Sequence, residues 1–285
     1  MTKTLTIAHS PDPDDAFMFF GLSQGGVPLP EGFCIKHVLK DIQRLNRDAR
    51  TGKHHVTAIS TAAFPSVADR YWILSVGASI GRKYGPIVVC RPERRRRFES
   101  ADWSSLRVAI PGEQTTAYLL LRLYRKKFIP VVTPFDKVFQ AVSSGKADGG
   151  LVIHEGQLTY KRQGFFRAVD LGAWWFRRTG LPIPLGLDVV RKDLGRRTAE
   201  ELAGALVRSI RYAYRHKAAA LRYSLKFGRG IDARVGEKFV RNYVNRDTLD
   251  MGPEGERAIR KLFSEARRSG LLPERVRPEI IRPVY

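Results

Sequence analysis

Strand and helix signals alternate along the first half of the chain, pause, and start again, and this rhythm constrains the fold more than any other feature. Short apolar or alternating segments at 4–9, 33–39 and 55–60 are separated by helical patterns at 14–23 and 41–50. A helical stretch interrupted by Pro65 covers 62–70, and an extended run covers 72–80. Strands that alternate with helices predict a mainly parallel, doubly wound sheet. After an extended segment at 85–91 the rhythm resumes, with strands at 107–110, 131–134 and 150–153 and helices at 115–127 and 136–144. A second α/β sheet follows from that restart. Another extended segment at 184–191 leads into helical sequence, where Thr198 with Glu200 and Glu201 offers an N-cap and an acidic first turn. Helices are expected to about residue 227, then at 234–244 and 253–268. The two extended segments, one leaving and one returning, read as hinge strands. The expected division is therefore a first lobe of 1–91 plus 186–285, carrying the C-terminal helices, and a second lobe of 92–185.

With 285 residues and 43% hydrophobic content the chain can bury a substantial core. Its first residues turn polar and proline-rich too soon for a secretory apolar region, and no apolar run is long enough to span a bilayer, so a cytoplasmic setting is expected. Cys34 and Cys90 are isolated, without metal-ligand spacing or the density of a disulfide framework. No Walker, GxGxxG or zinc-finger pattern occurs, so neither a metal nor a cofactor is expected. The formal charge of +22 attracts anions in general, yet its one dense cluster is Arg94–Arg97. Nucleic-acid binding would rest on charge alone, and a solvated basic surface is the favoured reading.

Chemistry concentrates at the ends of the expected strands. The apolar run Gly149-Gly150-Leu151-Val152-Ile153 stops abruptly at His154 and Glu155. Parallel strands present ligand-handling residues at their carboxyl ends, so His154 is expected to face a cleft. Taken alone, a histidine is as often a hydrogen-bonded core residue. Three further strand ends shift the balance. The first strand runs into Ser10-Pro11-Asp12-Pro13-Asp14-Asp15, the third into Thr57-Ala58-Ile59-Ser60, and the strand at 107–110 into Pro111-Gly112 and the pair Thr115-Thr116. Asp12 or Asp14 is accounted for by helix capping, whereas hydroxyls beside free helix-start N–H groups suit a carboxylate or phosphate. Together they point to a small organic anion as ligand, without separating binding from catalysis. His154 is the candidate base, because imidazole titrates near neutrality. Glu155 would point to the opposite face of a strand and is a poor partner for it unless the strand has ended. Trp174-Trp175-Phe176 could wall an aromatic ligand or simply pack in the core.

The chain resembles the 1,4-dihydroxy-6-naphthoate synthases of the futalosine route to menaquinone. The resemblance is carried by Ser10-Pro11 with Asp15 and Phe17, by Asp41-Ile42 with Leu45-Asn46-Arg47, and by Val67-Ala68-Asp69-Arg70-Tyr71. It continues in Pro111-Gly112 with Thr115-Thr116-Ala117-Tyr118, in Ile153-His154-Glu155 with Thr159-Tyr160, and in Asp170-Leu171-Gly172 with Trp174-Trp175 and Thr179-Gly180-Leu181-Pro182. It implies a two-lobed periplasmic-binding-protein-like α/β fold of type II, each lobe a mainly parallel sheet flanked by helices. It also implies a cofactor-independent lyase that converts cyclic dehypoxanthine futalosine to 1,4-dihydroxy-6-naphthoate and dihydroxyacetone. The family's proton acceptor matches His154, and its substrate-contacting segments match Thr57, Ala58, Ile59 and Ser60 and the pair Thr115-Thr116; Ser10 joins them from the reading of strand ends. Two departures stand out. The family's usual Ser-Pro-Cys-Pro-Asn-Asp is here Ser10-Pro11-Asp12-Pro13-Asp14-Asp15, and a lysine common after the third-strand threonine is here Ala58. The competing readings are a chorismate dehydratase or divergent paralogue of the same fold and, outside enzymes, a solute-binding protein for a small organic anion.

Overall fold

The computed structural model describes residues 2–227, 232–272 and 276–284. The chain begins with three strands, β1 (Lys3–His9), β2 (Phe33–Leu39) and β3 (Val56–Ser60), which lie side by side in the order β2-β1-β3 and run parallel. β3 is buried along its whole length, which suits its uninterrupted Val-Thr-Ala-Ile-Ser sequence, whereas the edge strand β2 keeps part of its surface in solvent. The extended run expected at 72–80 is divided into β4 (Tyr71–Leu74) and β5 (Ser79–Gly81). Gly77 breaks it: its φ of 85° leaves the extended region, and its N–H turns to the carbonyl of Thr248.

The chain then crosses to a second sheet built from β6 (Ile87–Cys90), β7 (Arg107–Ile110), β8 (Ile129–Val132), β9 (Gly149–Val152) and β10 (Phe166–Asp170), in the order β10-β6-β9-β7-β8. It returns through β11 (Ile183–Arg191), which inserts between β3 and β4, and ends on the short β12 (Ile280–Ile281) beside β4. Orientation is mixed, with one reversed strand in each sheet: β11 is antiparallel to β3 and β4, and β6 is antiparallel to β9 and β10. Both have the same cause. Ile87 opens β6 opposite Val152, the last residue of β9, and Gly186 near the start of β11 lies opposite Ser60, the last of β3. The chain therefore crosses between sheets at their carboxyl edges, and the strand that arrives from such an edge must run against the others.

The hinge segments are thus ladder strands. Residues 87–90 belong to the second sheet, although a boundary at 91 assigns them to the first lobe, and β11 begins three residues before the expected 186. The strand β10 and the helix Leu171–Thr179 had no counterpart in the sequence reading. They are locally well specified, because Asp170 accepts the Ala173 N–H as an N-cap and Gly180 closes the helix with a φ of 69°. The helix placed from Thr198 in fact starts at Arg196, after Gly195 with a φ of 81°, so Thr198 lies inside its first turn.

Leu202, Ala203, Leu206, Val207, Ile210 and Ala213 of the helix Arg196–Arg215 recur at three- and four-residue spacing and pack on Leu5, Ile7 and Phe17–Phe20. The helix Gly252–Arg268 touches two cores: Ile259 and Phe263 join the cluster under the first sheet, and Leu262 and Ala266 join that of the second. Among the described residues no helix is long and apolar enough to cross a membrane.

Candidate active site

A cavity of about 110 Å³ opens where the carboxyl edges of the two sheets meet. Ser10, Ala58, Ile59, Ser60, Thr115, Thr116 and His154 all line it. Thr57 does not: it is wholly buried in β3, with its hydroxyl donating to the Ala58 carbonyl at 3.1 Å. The aromatic segment is also elsewhere. Trp175 is buried in the core of the second sheet, its indole N–H donating to the Pro182 carbonyl at 3.1 Å, and Trp174 packs against the same core.

β9 ends at Val152, so His154 stands in a turn before the short helix Gly156–Thr159. Its φ of 55° is left-handed, a conformation that costs a non-glycine residue on the order of 1–3 kcal/mol. The strained backbone aims the ring into the cavity, edge-on to Phe135 at 5.0 Å between centroids. Its carboxylate neighbour is Asp12, whose Oδ2 lies 3.4 Å from Nδ1 of His154. Asp12 occupies the N-cap position of the helix Pro13–Met18 yet makes no side-chain capping bond, so capping does not account for it. The sequence reading missed this pair because the partners lie on different sheets.

One part of the lining presents donors. Thr115 caps the helix Thr116–Tyr124 by accepting the Tyr118 N–H and donates to the Gly112 carbonyl at 2.8 Å. Thr116 accepts the Ala62 N–H at 3.1 Å and donates to the Leu185 carbonyl at 2.7 Å, joining the helix to β11. Both hydroxyls are therefore committed to the protein. What this helix start offers a ligand is the backbone N–H of its first residues. Ser60 differs: its Oγ accepts from Nδ2 of the buried Asn46 at 3.1 Å, which leaves its own proton to donate. Asn46 also accepts the Ser60 N–H at 2.8 Å and so fixes that residue twice.

Another part is acidic. Asp14, Asp15 and Asp188 line the cavity, and its lining includes no lysine or arginine among the described residues. Asp15 accepts both the N–H and the hydroxyl of Ser10, at 2.8 and 2.6 Å. Burial still pushes its carboxyl up to about 6, against the opposing effect of the Ser10 hydrogen bond. Burial holds Asp14 well above the usual carboxylate range, reinforced by the charges of Asp15 and Asp12. Asp188 is likewise raised, first by burial and then by Asp15. Tyr243 and Gln157 complete the wall, the Gln157 amide donating to the tyrosine hydroxyl at 2.9 Å. Neither was picked out as a site residue: Tyr243 comes from a helix far along the chain, and Gln157, three residues after His154, carries no charge or capping pattern to single it out. The Arg94–Arg97 cluster lies outside the cavity, with Arg95 paired to Glu99 and Arg97 to Asp148.

Two sheets with a cleft along their carboxyl edges define a periplasmic-binding-protein-like fold. A Candida albicans protein described as having the generic form of that fold superposes with a TM-score of 0.72 at 15% identity, covering 96% of this chain and 92% of that one. At the level of sequence the chain belongs to the menaquinone biosynthesis family, which it matches over residues 5–268. It is 42% identical to a 1,4-dihydroxy-6-naphthoate synthase of Thermus thermophilus over 276 residues, 97% of this chain and 98% of that one. It is 38% identical to the protein of the same name from Streptomyces coelicolor, over 95% of each chain. The crystal structure of protein AF1704 from Archaeoglobus fulgidus has a TM-score of 0.86 at 41% identity, covering 94% of this chain and 98% of that one.

Proposed function

We propose that this protein is a carbon–carbon lyase of menaquinone biosynthesis that cleaves cyclic dehypoxanthine futalosine to 1,4-dihydroxy-6-naphthoate and dihydroxyacetone. The observation that carries this reading is His154, held in a left-handed turn at the mouth of β9, facing the cavity with Asp12 at its Nδ1. The names of the relatives supply the product, 1,4-dihydroxy-6-naphthoate, and the family supplies the menaquinone context. In this reading His154 removes a proton from the substrate through Nε2. Asp12 keeps the other ring nitrogen protonated and stabilises the imidazolium that forms. The substrate carboxylate meets the backbone N–H groups at the start of the helix Thr116–Tyr124 and the Ser60 hydroxyl, donors already oriented before binding. The two sheets close over the substrate, and the reaction runs in the cytoplasm.

The test follows product release by mass spectrometry, with purified protein and cyclic dehypoxanthine futalosine and no added cofactor. Wild-type protein is expected to release dihydroxynaphthoate, and His154→Asn to bind substrate without releasing it. A folded wild-type protein that releases no product would set the reaction aside.

A further inference from the structure

Asp188 is 1% exposed and lines the cavity, and its side chain forms no hydrogen bond or ion pair with any described residue. A buried polar group of this kind is uncommon, and a functional role is among the standard reasons for keeping one. The surrounding geometry holds the carboxyl in place. In the ladder between β3 and β11, Asp188 lies directly opposite Ala58, which has no polar atom to offer it. On its other side is Gly77, where an added Cβ would come within 2.0 Å of the Asp188 Oδ2. Glycine at 77, which its φ of 85° already favours, also leaves the space that this carboxyl occupies.

Building on the lyase reading above, we propose that Asp188 is a specificity-determining residue whose carboxylic acid O–H donates to an uncharged oxygen of the substrate, a carbonyl or a hydroxyl. The neighbours select this ligand chemistry. Asp14 and Asp15 line the same cavity, and no lysine or arginine is among its described lining residues, so a carboxylate or phosphate beside Asp188 would find no cation to balance it. Burial and the charge of Asp15 push Asp188 well above the usual carboxylate range, which favours the protonated acid and its one donor. A carbonyl or hydroxyl oxygen accepts that donor without bringing charge into the site. The other titratable groups at the cavity are Asp12, His154 and Tyr243, the first two paired with each other. A cationic ligand group would be drawn to the same carboxyls, and the choice of variants separates the two cases.

The experiment uses the full chain and cyclic dehypoxanthine futalosine, comparing wild type with Asp188→Asn and Asp188→Ala after thermal melting has established that each is folded. An amide keeps a neutral donor at nearly the same place, whereas alanine keeps none. Asp188→Asn is expected to raise KM about 3-fold and Asp188→Ala roughly 30-fold. Equal losses in the two variants, or a wild-type KM in Asp188→Ala, would overturn the proposal. A second measurement needs no turnover: the ¹³C shift of the Asp188 carboxyl is followed through pH in ligand-free wild-type protein. It is expected to show a protonated acid at pH 7, and ionisation below about pH 5, as in an ordinary aspartate, would overturn the proposal. A wild-type protein that does not cleave the substrate would instead defeat the lyase reading, leaving the carboxyl titration to decide the assignment of Asp188.

Discussion

The polar residues that line the cavity fall into two contrasting sets. Around Ser60 and the start of the helix Thr116–Tyr124, side-chain hydroxyls and amides are tied into the protein, through Asn46 to Ser60, Thr115 to Gly112 and Thr116 to Ala62 and Leu185. Around Gly77 and Ala58, Asp188 has no partner among the described residues and one oxygen of Asp14 has none. The first set is rigid and offers donors to negative charge. The second carries uncompensated burial and suits neutral oxygens. His154 and Asp12 belong to neither set and are paired with each other at 3.4 Å.

The sharpest test of that division is His154→Asn. Asparagine tolerates the left-handed backbone at this position, so the variant removes the base and keeps the turn. We expect kcat to fall about 10³-fold with the melting temperature held, as read by steady-state kinetics and calorimetry. His154→Ala should lose as much activity and also about 1 kcal/mol of stability, because alanine is strained at this φ. A variant at 154 that kept wild-type turnover would move the chemistry to one of the two sets.

Asp12→Asn comes next. Removing the carboxylate from Nδ1 should lower kcat roughly 10- to 100-fold with little change in KM, since the imidazolium formed during proton transfer loses its counter-charge. A rise in KM at constant kcat would instead join Asp12 to the acidic set as a binding residue.

How much of this was legible in the sequence follows the same contrast. The donor set comes from local signals: a strand end, a glycine turn, and a Thr that caps a helix three residues before the N–H it accepts. Such signals depend on neighbours along the chain, and Ser10, Ser60, Thr115, Thr116 and His154 were all picked out from them. Thr57 was picked out by the same logic but is buried in its strand, because a strand end specifies a neighbourhood and not which residue of it faces the cavity. The acidic set is fixed by ladder register and crossing. Asp188 meets the cavity only because β11 returns antiparallel beside β3, and Gly77 makes room for it from another loop. Asp12 looked like a helix cap until the second sheet brought His154 to it. Long-range pairing of this kind leaves no periodicity to read.

Thr116→Val tests the tied set. It removes a donor to the Leu185 carbonyl and an acceptor for the Ala62 N–H, leaving both backbone groups short of a partner inside the protein. We expect a loss of about 2 kcal/mol in denaturant unfolding, with activity falling as the helix start loosens from β11. Thr115→Val, which deletes the cap, should cost about 1 kcal/mol.

The smallest effect is a gain, and it carries the opposite sign. Carboxyls whose folded values are raised hold their protons to higher pH than in the unfolded chain. Within that window the folded state binds more protons, so stability declines as pH rises. For Asp15 the window runs from about 4 to about 6, and for Asp188 and Asp14 it opens upward from the same unfolded value. Asp188→Asn removes one of these penalties. Its melting temperature should exceed that of wild type by about 2–4 °C at pH 8, with the difference shrinking as the pH approaches 4. A variant less stable than wild type at pH 8 would mean that Asp188 is held by an interaction within the protein, and the acidic set would then resemble the donor set. A gain in stability together with a weakened KM would show instead that the carboxyl is retained for the substrate at the expense of the fold.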